Sequence, residues 1–131
     1  MSTTLTLVLY MAIITLVLTL VASLVRAQAW TPKGLLIAFG NRENLPEATP
    51  FAGRAERTAR NTLDHFVLFA AIALAAHALS PANPQVLQGA QVFFIARMVY
   101  IPVYYLGLKF VRTAVWTVSI VGLGMMLAAV L

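Results

Sequence analysis

Cysteine is absent from this sequence, and charged side chains are scarce. Without a thiol the chain can form no disulfide, no cysteine nucleophile and no thiolate metal site, so any sulfur chemistry would need a thiol brought by another molecule. Only 10% of the 131 residues are charged, against about 25% in an ordinary soluble domain. With 61% hydrophobic residues and a mean hydropathy of +0.88, the composition indicates a membrane protein.

Acidic residues are rarer still than basic ones. Four Asp and Glu stand against nine Lys and Arg, which gives a formal charge of +5. In a membrane protein this surplus is the bias of loops toward the cytoplasmic side, so we expect no nucleic-acid partner. We also expect no metal, because His65 and His77 would lie about 120° apart around a helix with no second acid near either.

Four apolar stretches are long enough to cross the roughly 30 Å hydrocarbon core of a membrane as helices. They fall at about residues 5–25, 54–79, 86–108 and 113–131, within a single membrane domain over residues 1–131. The first is expected to be a retained helix and not a cleaved signal peptide, because no Lys or Arg precedes it. The sequence thus predicts an all-α integral membrane protein, a four-transmembrane-helix bundle.

The connections differ in charge, which predicts the topology. A long loop over residues 26–53 and a short connection over residues 109–112 are basic, whereas the turn at 80–84 has no charge. This asymmetry places both basic connections in the cytoplasm and the termini outside, and we predict a multi-pass protein of a bacterial inner membrane. Within the long loop, the apolar run 35–39 is too short to span and is expected at the interface or against the bundle.

The second helix carries a polar stripe into the membrane. Four residues fall within one sector of about 100° around this helix: Arg57, Arg60, Asn61 and Asp64. Asp64 is the acid that lies deepest in any span, and Arg97 lies near the middle of the third span, at a depth that differs by only about 6 Å. Because a charge at that depth needs a partner, we expect Asp64 and Arg97 to pair.

Two phenols continue the Arg97 face toward the cytoplasmic end of the third helix. Counted around the helix from Arg97 at 0°, Tyr100 and Tyr104 lie at about 300° and 340°. We therefore expect one polar cavity that opens toward the basic loop. Two interpretations remain open. The cluster locks helices together while the surrounding cations set the topology and meet lipid phosphates. Alternatively, it binds a small anionic molecule, which the excess of cations favours because guanidinium groups bind carboxylates bidentately.

The spacing of these residues resembles a known family. Arg57-x-x-Arg60-Asn61-x-x-Asp64, followed by Arg97-x-x-Tyr100-x-x-x-Tyr104, is similar to the signature of the membrane-associated proteins in eicosanoid and glutathione metabolism. That family includes microsomal glutathione transferases, leukotriene C4 synthase and the microsomal prostaglandin E synthase. The resemblance spans nearly the whole chain, with four helices, a long basic first loop and a short basic last connection.

The resemblance implies a homotrimer with glutathione sites at its subunit interfaces, opening to the cytoplasm and to lipid. It implies that glutathione is the co-substrate and is bound by Arg26, Arg57, Arg60, Asn61, Asp64, Arg97, Tyr100 and Tyr104. Arg112, the nearest match to an activating arginine at the start of the last helix, is implied to be catalytic together with Tyr104. Two positions depart from the family pattern: Asp64 stands where Glu is usual, and His65 where some members have Tyr.

The resemblance thus implies a glutathione transferase or peroxidase that conjugates glutathione to apolar electrophiles arriving through the bilayer, or reduces lipid hydroperoxides. The residue types agree, because glutathione's carboxylates need cations, its ammonium needs an acid and a guanidinium stabilises its thiolate. A non-catalytic family member with a structural or otherwise anion-binding cluster is the main alternative. A small drug/proton transporter is disfavoured, because such proteins carry an acid in the first helix and residues 5–25 contain none.

Overall fold

The computed structural model describes residues 3–131, and over these residues the chain forms five α-helices. They are α1 (Thr3–Ala27), α2 (Pro32–Phe39), α3 (Pro50–Leu79), α4 (Pro84–Tyr105) and α5 (Lys109–Val130). All except α2 are long and apolar enough to cross a membrane. The predicted fold class, an all-α bundle of four transmembrane helices, is therefore confirmed.

Two of the long helices begin earlier than the sequence suggested, because proline starts them. Thr49 caps α3 by accepting a hydrogen bond from the Ala52 amide at 3.0 Å, and Pro50 occupies the first turn. Asn83 caps α4 in the same way, so this helix starts at Pro84 and not near 86. Proline is favourable in a first turn because its φ is already helical and its missing N–H is not needed there.

The long first loop contains a short helix that the sequence did not predict as such. Thr31 caps α2, and Pro32 begins it. Gly34 packs so closely on the end of α1 that a Cβ at this position would lie 1.9 Å from the Gln28 carbonyl oxygen. On the outer side, Phe39 is 82% exposed. The run 35–39 therefore belongs to a helix that contacts α1 and presents apolar side chains outward.

The long helices pack as two pairs joined through the middle. The most extensive contacts are those of α4 with α5 and of α1 with α3, and α3 and α4 connect the two pairs. Phe69 of α3 and Phe93 of α4 are fully buried and stack with ring centroids 4.4 Å apart. Buried alanines, including Ala73 and Ala76, let α3 approach its neighbours closely.

The connections gather at two opposite ends of the bundle. At one end, Arg54 Nε donates to the Tyr105 carbonyl at 3.0 Å, which joins the start of α3 to the end of α4. At the other end, the Asn83 side chain donates to the carbonyl of Ala129 in α5. The long first loop and the α4–α5 connection thus share one end, as four spans require. Lys109 and Arg112 do not form a connection as predicted, because α5 already begins at Lys109.

The helices α4 and α5 approach each other at a pair of glycines. A Cβ added to Gly122 would lie 2.6 Å from the Phe93 nitrogen and 2.8 Å from the Gly89 carbonyl oxygen. Both of these are backbone atoms, so a side chain at Gly122 would force the helices apart. By contrast, a Cβ on Gly124 would meet no atom within 4 Å.

This difference predicts opposite outcomes for two alanine substitutions on one helix. Gly122→Ala should lower the free energy of unfolding by about 1–3 kcal/mol, because overpacking against backbone has no cheap relief. Gly124→Ala should leave it unchanged or raise it by up to about 1 kcal/mol, since alanine favours helix. Thermal unfolding of the purified variants in detergent measures both, and equal effects would contradict the close crossing.

Candidate functional site

A basic cavity opens at the end of the bundle that holds the long loop. It has a volume of about 420 Å³ and is lined by Pro50, Arg54, Arg57, Tyr104, Gly107, Leu108, Lys109 and Arg112. Four of these eight residues are cations and none is an acid. The cations come from the starts of α3 and α5, and the end of α4 supplies Tyr104, so three helices build the cavity.

The phenol of Tyr104 lies between two guanidinium groups in this cavity. Arg57 Nε donates to the Tyr104 hydroxyl at 3.0 Å. From the other side, the Cζ of Arg112 lies 4.9 Å from the centroid of the Tyr104 ring, a cation–π distance. Tyr104 therefore fixes the positions of two cations that come from different helices.

An inner cavity adjoins the basic cavity through Arg112, which lines both. The inner cavity has a volume of about 200 Å³ and is lined by Asn61, Tyr100, Arg112, Thr113 and Trp116. The rings of Tyr100 and Tyr104 meet edge to face, with centroids 5.6 Å apart. Arg112 therefore lies where the basic cavity meets the smaller inner cavity, whose wall includes the aromatic rings of Tyr100 and Trp116.

Arg97 is fully buried directly behind Tyr100. Its Nη2 donates to the Thr62 hydroxyl at 2.8 Å, and its Cζ lies 4.1 Å from the Tyr100 ring centroid. Among residues 3–131 no acceptor reaches its Nε or Nη1. The expected pair with Asp64 does not form, because Asp64 lies on the exposed surface of α3. Arg97 supports the cavity wall through Tyr100 and does not line the cavity itself.

The remaining predicted residues lie on a different face. Arg26 and Arg60 line a third cavity of about 390 Å³ between α1 and α3, here called the outer groove, together with Arg42 and Glu56. Arg26 donates to the Pro46 carbonyl, and Arg42 donates to the Ser23 carbonyl at 3.2 Å. These bonds hold the long loop against the end of α1.

The polar stripe of α3 is therefore divided between two faces. A stripe about 100° wide is broad enough to meet different neighbours along its two margins. Arg57 and Asn61 turn toward α4 and α5, whereas Arg60 and Asp64 turn away from them. The single cavity that the sequence predicted does not form within one chain.

Five of the nine predicted site residues come together in the two adjoining cavities: Arg57, Asn61, Tyr100, Tyr104 and Arg112. The structure adds four polar or aromatic residues to them: Arg54, Lys109, Thr113 and Trp116. Helical spacing carried a signal for most of these, since residues three or four apart share a face. Arg54 precedes Arg57 by three, and Trp116 follows Arg112 by four.

The chemistry of the two cavities is that of anion binding. Guanidinium groups bind carboxylates bidentately. The four cations of the basic cavity have no acid beside them in its lining, so their charge is free to pair with that of a bound anion. The described residues hold no group of three or more His, Cys, Asp or Glu side chains that could bind a metal ion.

Comparison with known proteins gives one match. The model of the MAPEG family matches residues 3–131, which is nearly the whole chain. No curated protein and no solved structure matches. This is the family that the signature on the second and third membrane helices resembles, so that identification is confirmed. Because four of its helices are long and apolar enough to cross a membrane, the chain is an integral multi-pass membrane protein.

The Thr62–Arg97 contact predicts that removing the Thr62 hydroxyl lowers the free energy of unfolding more than removing an equally buried hydroxyl elsewhere on α3. Thr62→Val should destabilise the protein by about 1–3 kcal/mol, because it leaves a third buried guanidinium nitrogen without an acceptor. Thr58→Val is the matched control, since Thr58 is equally buried one turn earlier and donates only to its own helix at the Arg54 carbonyl. Thermal unfolding in detergent compares them, and similar losses in both would contradict the assigned role of Thr62.

Proposed function

The chain belongs to the MAPEG family, and from this premise we propose that it is a membrane glutathione transferase or peroxidase. It would conjugate glutathione to apolar electrophiles or reduce lipid hydroperoxides. The observation that carries the proposal is the phenol of Tyr104, held between Arg57 and Arg112 where the basic and inner cavities meet. Family membership supports a glutathione-related or eicosanoid-related role at the level of the class.

The basic cavity suits the carboxylates of glutathione. This tripeptide carries two carboxylates, one ammonium and one thiol. The cavity offers Arg54, Arg57, Lys109 and Arg112 and no acid, so it favours the carboxylate ends over the ammonium end. With its carboxylates held here, the thiol of glutathione would lie near Arg112, at the opening of the inner cavity.

Arg112 is the proposed activating residue. A thiol is mostly protonated at neutral pH, and only the thiolate is a good nucleophile. A guanidinium stabilises the thiolate and stays charged in an apolar site where an ammonium would lose its proton. Tyr104 contributes by fixing the guanidinium through its ring and by offering a hydroxyl beside the sulfur.

The proposed chemistry follows from that thiolate. In conjugation, the sulfur forms a bond to an electrophilic carbon as the bond to the leaving group breaks, and the leaving group departs with the electron pair. In peroxide reduction, the thiolate attacks the hydroperoxide oxygen and the O–O bond breaks, giving glutathione sulfenic acid and an alkoxide that takes a proton. A second glutathione then converts the sulfenic acid to the disulfide and water.

The ammonium end of glutathione requires an acid that one chain does not bring to these cavities. Asp64 lies on the exposed face of α3, away from Tyr104 and Arg112. We propose that a neighbouring subunit supplies Asp64, with Arg60 and Arg26 beside it, in a homotrimer with a shared site at each interface. The exposed acid in a membrane span supports this arrangement, because a charge facing lipid is costly.

The apolar partner of the reaction would enter from the bilayer, since Trp116 lines the inner cavity, belongs to a helix long and apolar enough to span a membrane, and is 37% exposed. We further propose that the end with the basic cavity faces the cytoplasm, in a bacterial inner membrane. Lys109, Arg112 and the arginines at the start of α3 gather at that end, which the positive-inside rule favours.

A non-catalytic anion-binding protein is the second candidate function. The observation that favours it is the lack of any acid in the basic cavity, since a simple dianion would be matched there better than a zwitterion. On this alternative, anions bind but no thiolate forms.

The role of Arg112 predicts the loss of a spectroscopic signal. Glutathione added to the wild-type protein should produce thiolate ultraviolet absorbance at neutral pH, and Arg112→Gln should reduce it to that of free glutathione. Arg42→Gln removes the same charge outside both cavities and should keep the signal. If the wild-type protein binds glutathione without any thiolate signal, the anion-binding alternative stands and the enzyme proposal fails.

The role of Asp64 predicts a selective loss of affinity. Asp64→Asn should weaken glutathione binding about tenfold or more, the cost of a lost charge-assisted hydrogen bond. Its effect should vanish with a deaminated glutathione, which lacks the ammonium. Glu47→Gln, at an exposed position of the long loop, is the control and should change neither affinity. Calorimetry on the detergent-solubilised wild type and both variants measures the affinity for each of the two ligands. A loss of affinity in Asp64→Asn that persists with the deaminated ligand would contradict the assignment.

A further inference from the structure

His65 and Trp116 join α3 to α5 beside the inner cavity. The indole Nε1 of Trp116 lies 2.9 Å from Nε2 of His65, and the two rings meet edge to face with centroids 5.9 Å apart. On its other side, Nδ1 of His65 lies 2.7 Å from the Asn61 carbonyl oxygen. Both imidazole nitrogens are therefore engaged.

The chemistry of the indole fixes which nitrogen of His65 carries the proton. An indole N–H can only donate, so Nε2 of His65 must accept. Nδ1 then carries the hydrogen and donates to the carbonyl of Asn61. His65 is thus a neutral bridge, and it has no free nitrogen with which to bind a ligand.

The start of α5 has few other attachments. Leu108 precedes the helix without a side-chain cap, and Phe110 is 90% exposed. The buried residues of α5 begin only at Ser119. Within residues 3–131, the Trp116–His65 bond is the side-chain hydrogen bond that ties residues 109–118 to another helix; the others stay within α5.

Trp116 stands one helical turn after Arg112, and both side chains line the inner cavity. A bond that fixes Trp116 against α3 therefore also fixes the azimuth of Arg112 relative to Asn61 and Tyr100. In the lipid-facing part of the bundle this bond has little competition from water, which strengthens it.

We propose that His65 is a positioning residue: through its bond to Trp116 it holds Arg112 in the orientation that stabilises the glutathione thiolate. This inference rests on the proposed function, in which Arg112 is the activating residue. His65 itself touches neither the thiol nor the electrophile, and its contribution is transmitted through α5.

The test compares variants that remove the bond with one that keeps it. His65→Phe removes the acceptor, and Trp116→Phe removes the donor while keeping an aromatic ring. His65→Gln keeps an acceptor near the position of Nε2. His77→Phe is the matched control, because His77 lies on the exposed last turn of α3, remote from the site.

Three measurements on the detergent-solubilised full chain separate positioning from general damage. The first is the thiolate absorbance of bound glutathione at one neutral pH. The second is the calorimetric affinity for S-methylglutathione, which has the carboxylates and the ammonium but no thiol. The third is Trp116 fluorescence in a Trp30→Phe background, where Trp116 is the remaining tryptophan of the sequence.

We expect His65→Phe and Trp116→Phe each to lower the bound thiolate fraction by roughly tenfold, as a displaced catalytic group does. Their combination should lower it no further, because both remove one interaction. His65→Gln should restore most of the signal, and the affinity for S-methylglutathione should stay unchanged in His65→Phe, His65→Gln and His77→Phe. Trp116 fluorescence should shift in His65→Phe and remain in place in His65→Gln and His77→Phe.

Two results would overturn the inference while leaving the proposed function intact. One is a wild-type thiolate signal that His65→Phe does not reduce. The other is a parallel loss of S-methylglutathione affinity in His65→Phe, which would indicate a structural role. If His65→Phe does not fold, an unchanged signal in Trp116→Phe overturns the inference equally. A wild-type protein that forms no thiolate overturns the proposed function, and the inference falls with it.

Discussion

Arg97 places a guanidinium inside the membrane-spanning part of the bundle with a threonine hydroxyl and a phenol ring as its partners. A cation at such a depth costs several kcal/mol unless polar groups surround it. Thr62 and Tyr100 meet part of that demand from α3 and α4, so the charge ties these two helices together. Tyr100 in turn packs edge-on against Tyr104. The polar cavities depend on this buried charge, because it fixes the aromatic wall on which Arg57 and Arg112 rest.

Charged residues are unevenly distributed around α3. Cations and phenols face inward to the two adjoining cavities, while Asp64 faces outward from the same helix. In the proposed homotrimer, the outward margin of α3 with Asp64 and Arg60 would face the basic cavity of another copy. Such a pairing of charges would favour the proposed assembly without extensive apolar contact, which brings little advantage in lipid.

The sequence predicted the number and type of the membrane helices because apolar length alone decides them. It misplaced the starts of α3 and α4, where Thr49 and Asn83 each cap a helix whose first turn contains a proline. For the site, helical spacing placed Arg57, Asn61, Tyr100 and Tyr104 together, and the structure brings these four to the two adjoining cavities; Arg112, which the family resemblance added, lines both cavities. Spacing failed for the Asp64–Arg97 pair, because counting residues fixes depth along a helix but not the rotation of one helix against another.

The glycine crossing of α4 and α5 has a mechanical consequence. Where Gly89 and Gly122 meet, backbone touches backbone, and no layer of side chains remains between the helices to yield under load. The two helices, which carry Tyr104 and Arg112 respectively, therefore keep a fixed separation at this crossing. When the lateral pressure of the surrounding lipid changes, the deformation falls on the contacts of α3 with α4 and α5, and the His65–Trp116 bond that orients Arg112 is one of them.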